Sequence, residues 1–119
     1  MNTFRAVAVF PHIEPANLEE ICLLAEQMMV EIQKQESILR YDMFFSENKT
    51  RCTILEEYAH PDAVFEHIKK NAELLQQLSG LGGKIEGGVF PMGQDGEALQ
   101  EIKNNWDSIF HNHYIGKVN

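Results

Sequence analysis

The stretch Phe4 to Phe10 reads Phe-Arg-Ala-Val-Ala-Val-Phe, and it narrows the fold more than any other run in the chain. Successive side chains of a strand point to opposite faces. One parity here offers Phe4, Ala6, Ala8 and Phe10, and the other offers Val7 and Val9, so both faces ask for apolar cover. Such a strand belongs inside a sheet that is packed on either side. The chain must therefore supply helices for one face and something further for the other.

The helices follow from periodicity. Beyond Pro11 and Pro15, the residues Leu18, Ile21, Cys22, Ala25, Met28, Met29 and Ile32 recur at three- and four-residue steps, which predicts an amphipathic helix to about Glu36. Ser37 to Ser46 reads as a second strand and Arg51 to Tyr58 as a third. The turn chemistry of Glu47-Asn48-Lys49-Thr50 joins them as a hairpin. Asp62 is the expected N-cap of a second helix that runs to the break at Ser79-Gly80-Leu81-Gly82-Gly83. Lys84 to Met92 predicts a fourth strand, with a bulge or close backbone approach at Gly87-Gly88. A shorter helix over Gln94 to Trp106 and a final strand over Ser108 to Val118 complete the chain.

Without that tail the order is β-α-β-β-α-β, the split βαβ arrangement of an α+β, ferredoxin-like fold. Two helices then cover one face of an antiparallel sheet and the other face stays apolar. A bare apolar patch of several hundred Å2 is unusual on a monomer. A second copy of the chain, related by a two-fold axis, is the simplest cover, so a homodimer is expected.

The 119 residues suit one domain spanning 1–119. A formal net charge of -8 repels phosphate backbones and anionic bilayers, so neither nucleic acid nor membrane is an expected partner. Cys22 and Cys52 read as buried thiols in a helix and a strand and not as a disulfide framework. The N-terminus lacks a basic segment followed by an apolar run, and no run approaches the ~20 apolar residues that span a bilayer, so a cytoplasmic protein is expected.

Chemistry concentrates on the second helix. Val64, His67, Ile68, Asn71, Leu74, Leu75 and Leu78 share one helical face, which sets two polar side chains in an apolar stripe. Near neutral pH His67 can take a proton from a phenol or enol, and Asn71, one turn on, can hold the resulting oxyanion. The same pair can also simply satisfy each other, as buried polar groups must. Tyr41, Phe44, Phe45 and Tyr58 on the hairpin, with Met28 and Met29 on the first helix, read either as core or as walls of an aromatic pocket. His111 and His113 share one side of the last strand, but without a third ligand nearby no metal site is expected. Gly80-Leu81-Gly82-Gly83 follows a helix and so presents no helix N-terminus to a phosphate.

Leu55-Glu56-Glu57-Tyr58, followed by Pro61-Asp62-Ala63 and a helical His67, resembles the antibiotic biosynthesis monooxygenase family over about Phe4 to Met92. Gly87-Gly88-Val89-Phe90-Pro91, then Glu97-Ala98-Leu99 and a closing aromatic strand, is similar to the extra helix and strand of some members. The resemblance implies ferredoxin-like subunits paired into a dimeric α+β barrel. It also implies a pocket between helices and sheet where quinols or polycyclic phenols meet oxygen without metal or flavin. Of the family's site residues, only His67 carries over. Ala72 stands where some members keep a second histidine, and Gln77 stands where haem-degrading relatives place a ligand, which sets haem degradation aside.

The expectation is a cofactor-independent monooxygenase of a small quinol or phenolic compound. His67 and Asn71 would be catalytic, and Tyr58, Tyr41, Phe44 and Met28 would bind the substrate. A non-oxidative isomerase or degradative enzyme of a small metabolite is the second reading. A dimeric module that binds a small ligand without catalysis is the third.

Overall fold

The central strand is β1, Phe4–Phe10, and it pairs antiparallel with β3 on one side and β4 on the other. The computed structural model describes residues 3–117. Its five-stranded sheet runs β2 (Ile38–Phe45), β3 (Cys52–Tyr58), β1, β4 (Glu86–Phe90), β5 (Ile109–Phe110), antiparallel except for the β4–β5 pair. The first four strands have the expected ferredoxin-like order. In one chain the sheet is open, with β2 and β5 at its edges.

The helices α1 (Leu18–Ile32), α2 (Asp62–Lys70), α3 (Ala72–Gly82) and α4 (Glu97–Asn105) account for the buried side of the sheet. Phe4, Ala6 and Phe10 of β1 are buried there, together with Cys52, Ile54 and Tyr58 of β3. The core divides in two. One part gathers Phe10, Ile21, Leu24, Met28, Tyr41, Ile54 and Leu78; the other gathers Phe4, Tyr58, Val64, Val89, Leu99 and Ile102. At about 25 cal/mol per Å2 of apolar surface, each large side chain buried in these clusters contributes roughly 1.5–3 kcal/mol against the entropy of folding.

Several expectations are corrected by the structure. The second helix is two helices, interrupted at Asn71, where φ is -115° and ψ 18°. The cause is local: the Asn71 side-chain amide donates to the His67 carbonyl at 3.0 Å, as the Asn71 backbone N–H also does at 3.0 Å. A short amide side chain that bonds its own backbone competes with continuation of the helix. Asp62 is the first residue of α2 and not its N-cap, a position held by Pro61, whose side chain has no donor or acceptor to offer.

Gly80 and Gly82 lie inside α3, which ends only where Gly83 adopts a φ of 89°. The bulge sits not at Gly87-Gly88 but in β2, between Ile38 and Arg40. At Gly87 the close approach is real, because a Cβ there would meet Ser108 Oγ at 2.7 Å. The last strand is only two residues long. His111 folds its ring onto Phe90 with centroids 4.2 Å apart, and the chain then leaves the sheet with Tyr114 and Ile115 exposed. Val118, the end of the predicted strand, lies outside the described residues.

A candidate active site in a cavity between the two cores

Small side chains open the site. Where α2 and α3 cross the sheet, the facing residues of β1 and β4 are Ala6, Ala8, Gly87 and Val89, paired Ala6 to Val89 and Ala8 to Gly87. Helices resting on such a floor cannot close down on it. A cavity of about 140 Å3 remains at the seam between the two cores, bounded by Phe10, Ile54, Val64, Leu75, Ile85 and Trp106. Ile68, 37% exposed, is the lining side chain most open to solvent and marks the mouth.

Four polar side chains line this apolar space: Tyr41, Glu56, His67 and Ser108. Strand pairing brings the first two together, because Tyr41 on β2 lies directly across from Glu56 on β3. The Tyr41 ring meets His67 edge-on, with centroids 5.0 Å apart. The two sides of the site are thus a hairpin and a helix.

His67 is 3% exposed, and burial lowers its pKa to about 4, so the ring is neutral at pH 7. Its tautomer follows from Asn71. The Asn71 Nδ2 lies 3.0 Å from the His67 carbonyl, which can only accept, and that contact fixes the orientation of the amide. The same nitrogen lies 3.1 Å from His67 Nδ1, so Nδ1 accepts and the proton resides on Nε2. Asn71 Oδ1 is buried without a partner, so the amide is held by its donors alone.

Glu56 is the group that the sequence reading did not single out as functional. Burial raises its pKa to about 7, against the lowering effect of the hydrogen bond that Tyr58 Oη donates to Glu56 Oε1. Tyr41 and Tyr58 are both pushed well above the ordinary tyrosine range, first by burial and then by the Glu56 charge, so both phenols stay protonated. The signal was available in strand parity. Cys52, Ile54 and Tyr58 are spaced to face the helices, and a carboxylate at position 56 of that series has to be buried with them.

The remaining predicted residues are dispersed. Tyr58 is fully buried and reaches the site only through Glu56. Met28 is fully buried among α1 core residues and does not line the cavity. Phe44 is 53% exposed, because its odd step along β2 from Tyr41 turns it to the opposite face of the sheet. Asn71 contacts His67 and is not among the residues that bound the cavity. Its amide nitrogen is already committed twice, so it is a positioning residue for His67 and not a ligand for an oxyanion. His111 Nδ1 lies 3.0 Å from the Val89 carbonyl, and among the described residues no group of three or more His, Cys, Asp or Glu side chains is placed to hold a metal ion.

Solved structures share this architecture. MupZ from Pseudomonas fluorescens superposes with a TM-score of 0.85 at 18% identity, over 100% of this chain and 96% of that one. An antibiotic biosynthesis monooxygenase matches with a TM-score of 0.63 at 17% identity, over 78% of this chain and 99% of that one. The fold is that of the antibiotic biosynthesis monooxygenase-like proteins. SnoaB, a cofactor-independent oxygenase from Streptomyces nogalater, solved as the N63A mutant, adds a third likeness with a TM-score of 0.66 at 13% identity, over 80% of this chain and 97% of that one. No family model and no curated protein matches the chain. At these identities the likeness is one of fold.

Proposed function

We propose that the protein is a cofactor-independent monooxygenase acting on a small quinol or phenolic compound held in the cavity of Glu56, His67 and Tyr41. One observation carries this reading: the half-buried carboxyl of Glu56, its pKa raised to about 7 by desolvation, shares an apolar cavity with the buried, neutral imidazole of His67. Groups with pKa values moved by burial are frequent at functional sites, and a general base is most effective near the working pH.

The roles differ from those the sequence suggested. His67 Nε2 carries a proton and so donates; it cannot be the base. Glu56 takes the phenolic proton, and the His67 Nε2–H holds the phenolate oxygen that forms. Tyr58 holds Glu56 Oε1 through its hydrogen bond. The phenolate is electron-rich enough to reduce dioxygen. The substrate gives up four electrons in all: one oxygen atom enters the ring as a carbonyl and the other leaves as water, so the phenol becomes a quinone without an external reductant.

The test is oxygen uptake with phenols and hydroquinones of one to three rings. Glu56→Gln keeps the shape and an acceptor for Tyr58 but cannot take a proton, and turnover is expected to fall by about 100-fold or more. Full activity in that variant, or no oxygen uptake by the wild type with any of these compounds, would sink the reading.

The sheet face away from the helices bears Phe44 at 53% exposure and Leu55 at 46%. We propose that a second copy of the chain covers it. This reading is supported by that apolar surface and by the half-buried Val7, Val9 and Phe90 around it. Light scattering after size-exclusion chromatography is expected to give twice the chain mass for the wild type and the chain mass for Leu55→Glu; a monomeric wild type removes the proposal.

A further inference from the structure

We infer that the cavity selects an uncharged, single-ring phenol and excludes both fused-ring phenols and phenols that carry a carboxylate. This deepens the proposed function and rests on it. The first ground is size. A cavity of about 140 Å3 is close to the ~150 Å3 that accommodates benzene in an engineered apolar site. A fused second ring has to displace Leu75, Ile85 or Trp106, or stand in the mouth beside Ile68.

The second ground is charge. None of the residues that line the cavity is Lys or Arg, and its one carboxyl is that of Glu56. His67, neutral and buried, adds no positive charge. A carboxylate entering this space would lose its hydration and find no cation, which is costly for a buried ion. A phenol instead presents one hydroxyl, which can donate to Glu56 and accept from His67 Nε2.

The shape of the floor narrows the choice further. Ala6, Ala8 and Gly87 offer a flat surface without branching, suited to the face of a ring. Ala8 is the specificity-determining position on the sheet, since any larger side chain there rises into the cavity. Leu75 is its counterpart on the helical wall.

The test is binding under anaerobic conditions, so that ligand size is read independently of turnover. Isothermal titration with phenol, 4-hydroxybenzoate, 1-naphthol and 1-anthrol is the assay. Wild-type protein is expected to bind phenol at least tenfold more tightly than each of the other three. Leu75→Ala is expected to bring 1-naphthol level with phenol or beyond it, and Ala8→Leu to abolish phenol binding with the circular dichroism spectrum unchanged. Wild-type affinity for 1-naphthol or 1-anthrol equal to that for phenol overturns the size limit, and equal affinity for 4-hydroxybenzoate overturns the charge limit; both leave the oxygenase reading standing. Failure of all four to bind removes both. If Ala8→Leu does not fold, the wild-type ranking and Leu75→Ala still decide.

Discussion

Glu56 and Glu57 are neighbours in sequence and opposites in chemistry. Strand parity turns Glu56 toward the helices, where burial raises its pKa to about 7. Glu57 faces the other side of the sheet, where Thr3 Oγ1 donates to it at 2.6 Å and Arg5 Nε lies 3.3 Å away. There the hydrogen bond from Thr3, ahead of those from Arg5, holds its pKa below the usual carboxylate value. One residue step on a strand therefore separates a proton acceptor tuned to neutral pH from a carboxyl held in its charged form there. A larger hollow of about 560 Å3 is bordered by both Glu56 and Glu57, but it is the smaller one that sets Glu56 together with His67 and Tyr41.

The largest expected effect of this contrast is on turnover. Where Glu56→Gln is expected to cost about 100-fold or more, Glu57→Gln should leave the oxygen-uptake rate within about threefold of wild type, since Arg5 and Arg40 lie on the sheet face away from the cavity and are 62% and 74% exposed at their side chains. Equal losses in the two variants would mean that the two faces are not chemically separate.

A smaller effect, on stability, has a sign that can be worked out. Between about pH 4.5 and 6.5 the folded chain keeps a proton on Glu56 that the unfolded chain releases, so Glu56 makes stability fall as pH rises. Over the same interval the unfolded chain binds a proton on His67 that the folded chain lacks, so His67 makes stability rise. The two slopes oppose each other and the wild type should be nearly flat, with a decline from about pH 6.5 to 7 where only Glu56 titrates. In Glu56→Gln the His67 slope stands alone. Urea denaturation across this range should then show stability rising by up to ~1.4 kcal/mol per pH unit. Glu57→Gln should leave the wild-type flatness over pH 4.5–6.5 in place, because Glu57 titrates below its ordinary value of 4.5. A flat profile in Glu56→Gln would contradict the burial assigned to His67.

The contrast also shows what the sequence could reveal. The two-sided strand Phe4–Phe10 and the order of its neighbours determined the sheet, because period-2 and period-3.6 patterns report burial directly. His67 was legible for the same reason. Glu56 was not singled out, since an acidic residue beside another acidic residue reads as a solvated strand end until the parity of Cys52, Ile54 and Tyr58 is counted. Phe44 and Met28 lie away from the cavity, and an aromatic or methionine carries no label of the face it serves; the regular alternation of β2 beyond Tyr41 turns Phe44 to the far face. The helix break at Asn71 was hidden because it depends on one side chain bonding its own backbone, an alternative that periodicity does not weigh.

Asn71 gives the smallest and most local test. Its Nδ2 donates to the His67 carbonyl and to Nδ1, while its Oδ1 is buried without a partner. Asn71→Ala removes two hydrogen bonds but also one orphaned acceptor, so these terms partly cancel and a net loss of only about 1 kcal/mol is expected. The tautomer is the sharper readout. Nitrogen-15 shifts of the His67 ring should show Nε2–H and a bare Nδ1 in the wild type, and a mixture of tautomers in Asn71→Ala. Turnover should fall as the share of Nε2–H falls, because only that tautomer presents a donor to the phenolate while Glu56 takes the proton. A wild-type ring protonated on Nδ1 would leave Nε2 as a free base beside Glu56. The division of labour between the two residues would then have to be reversed.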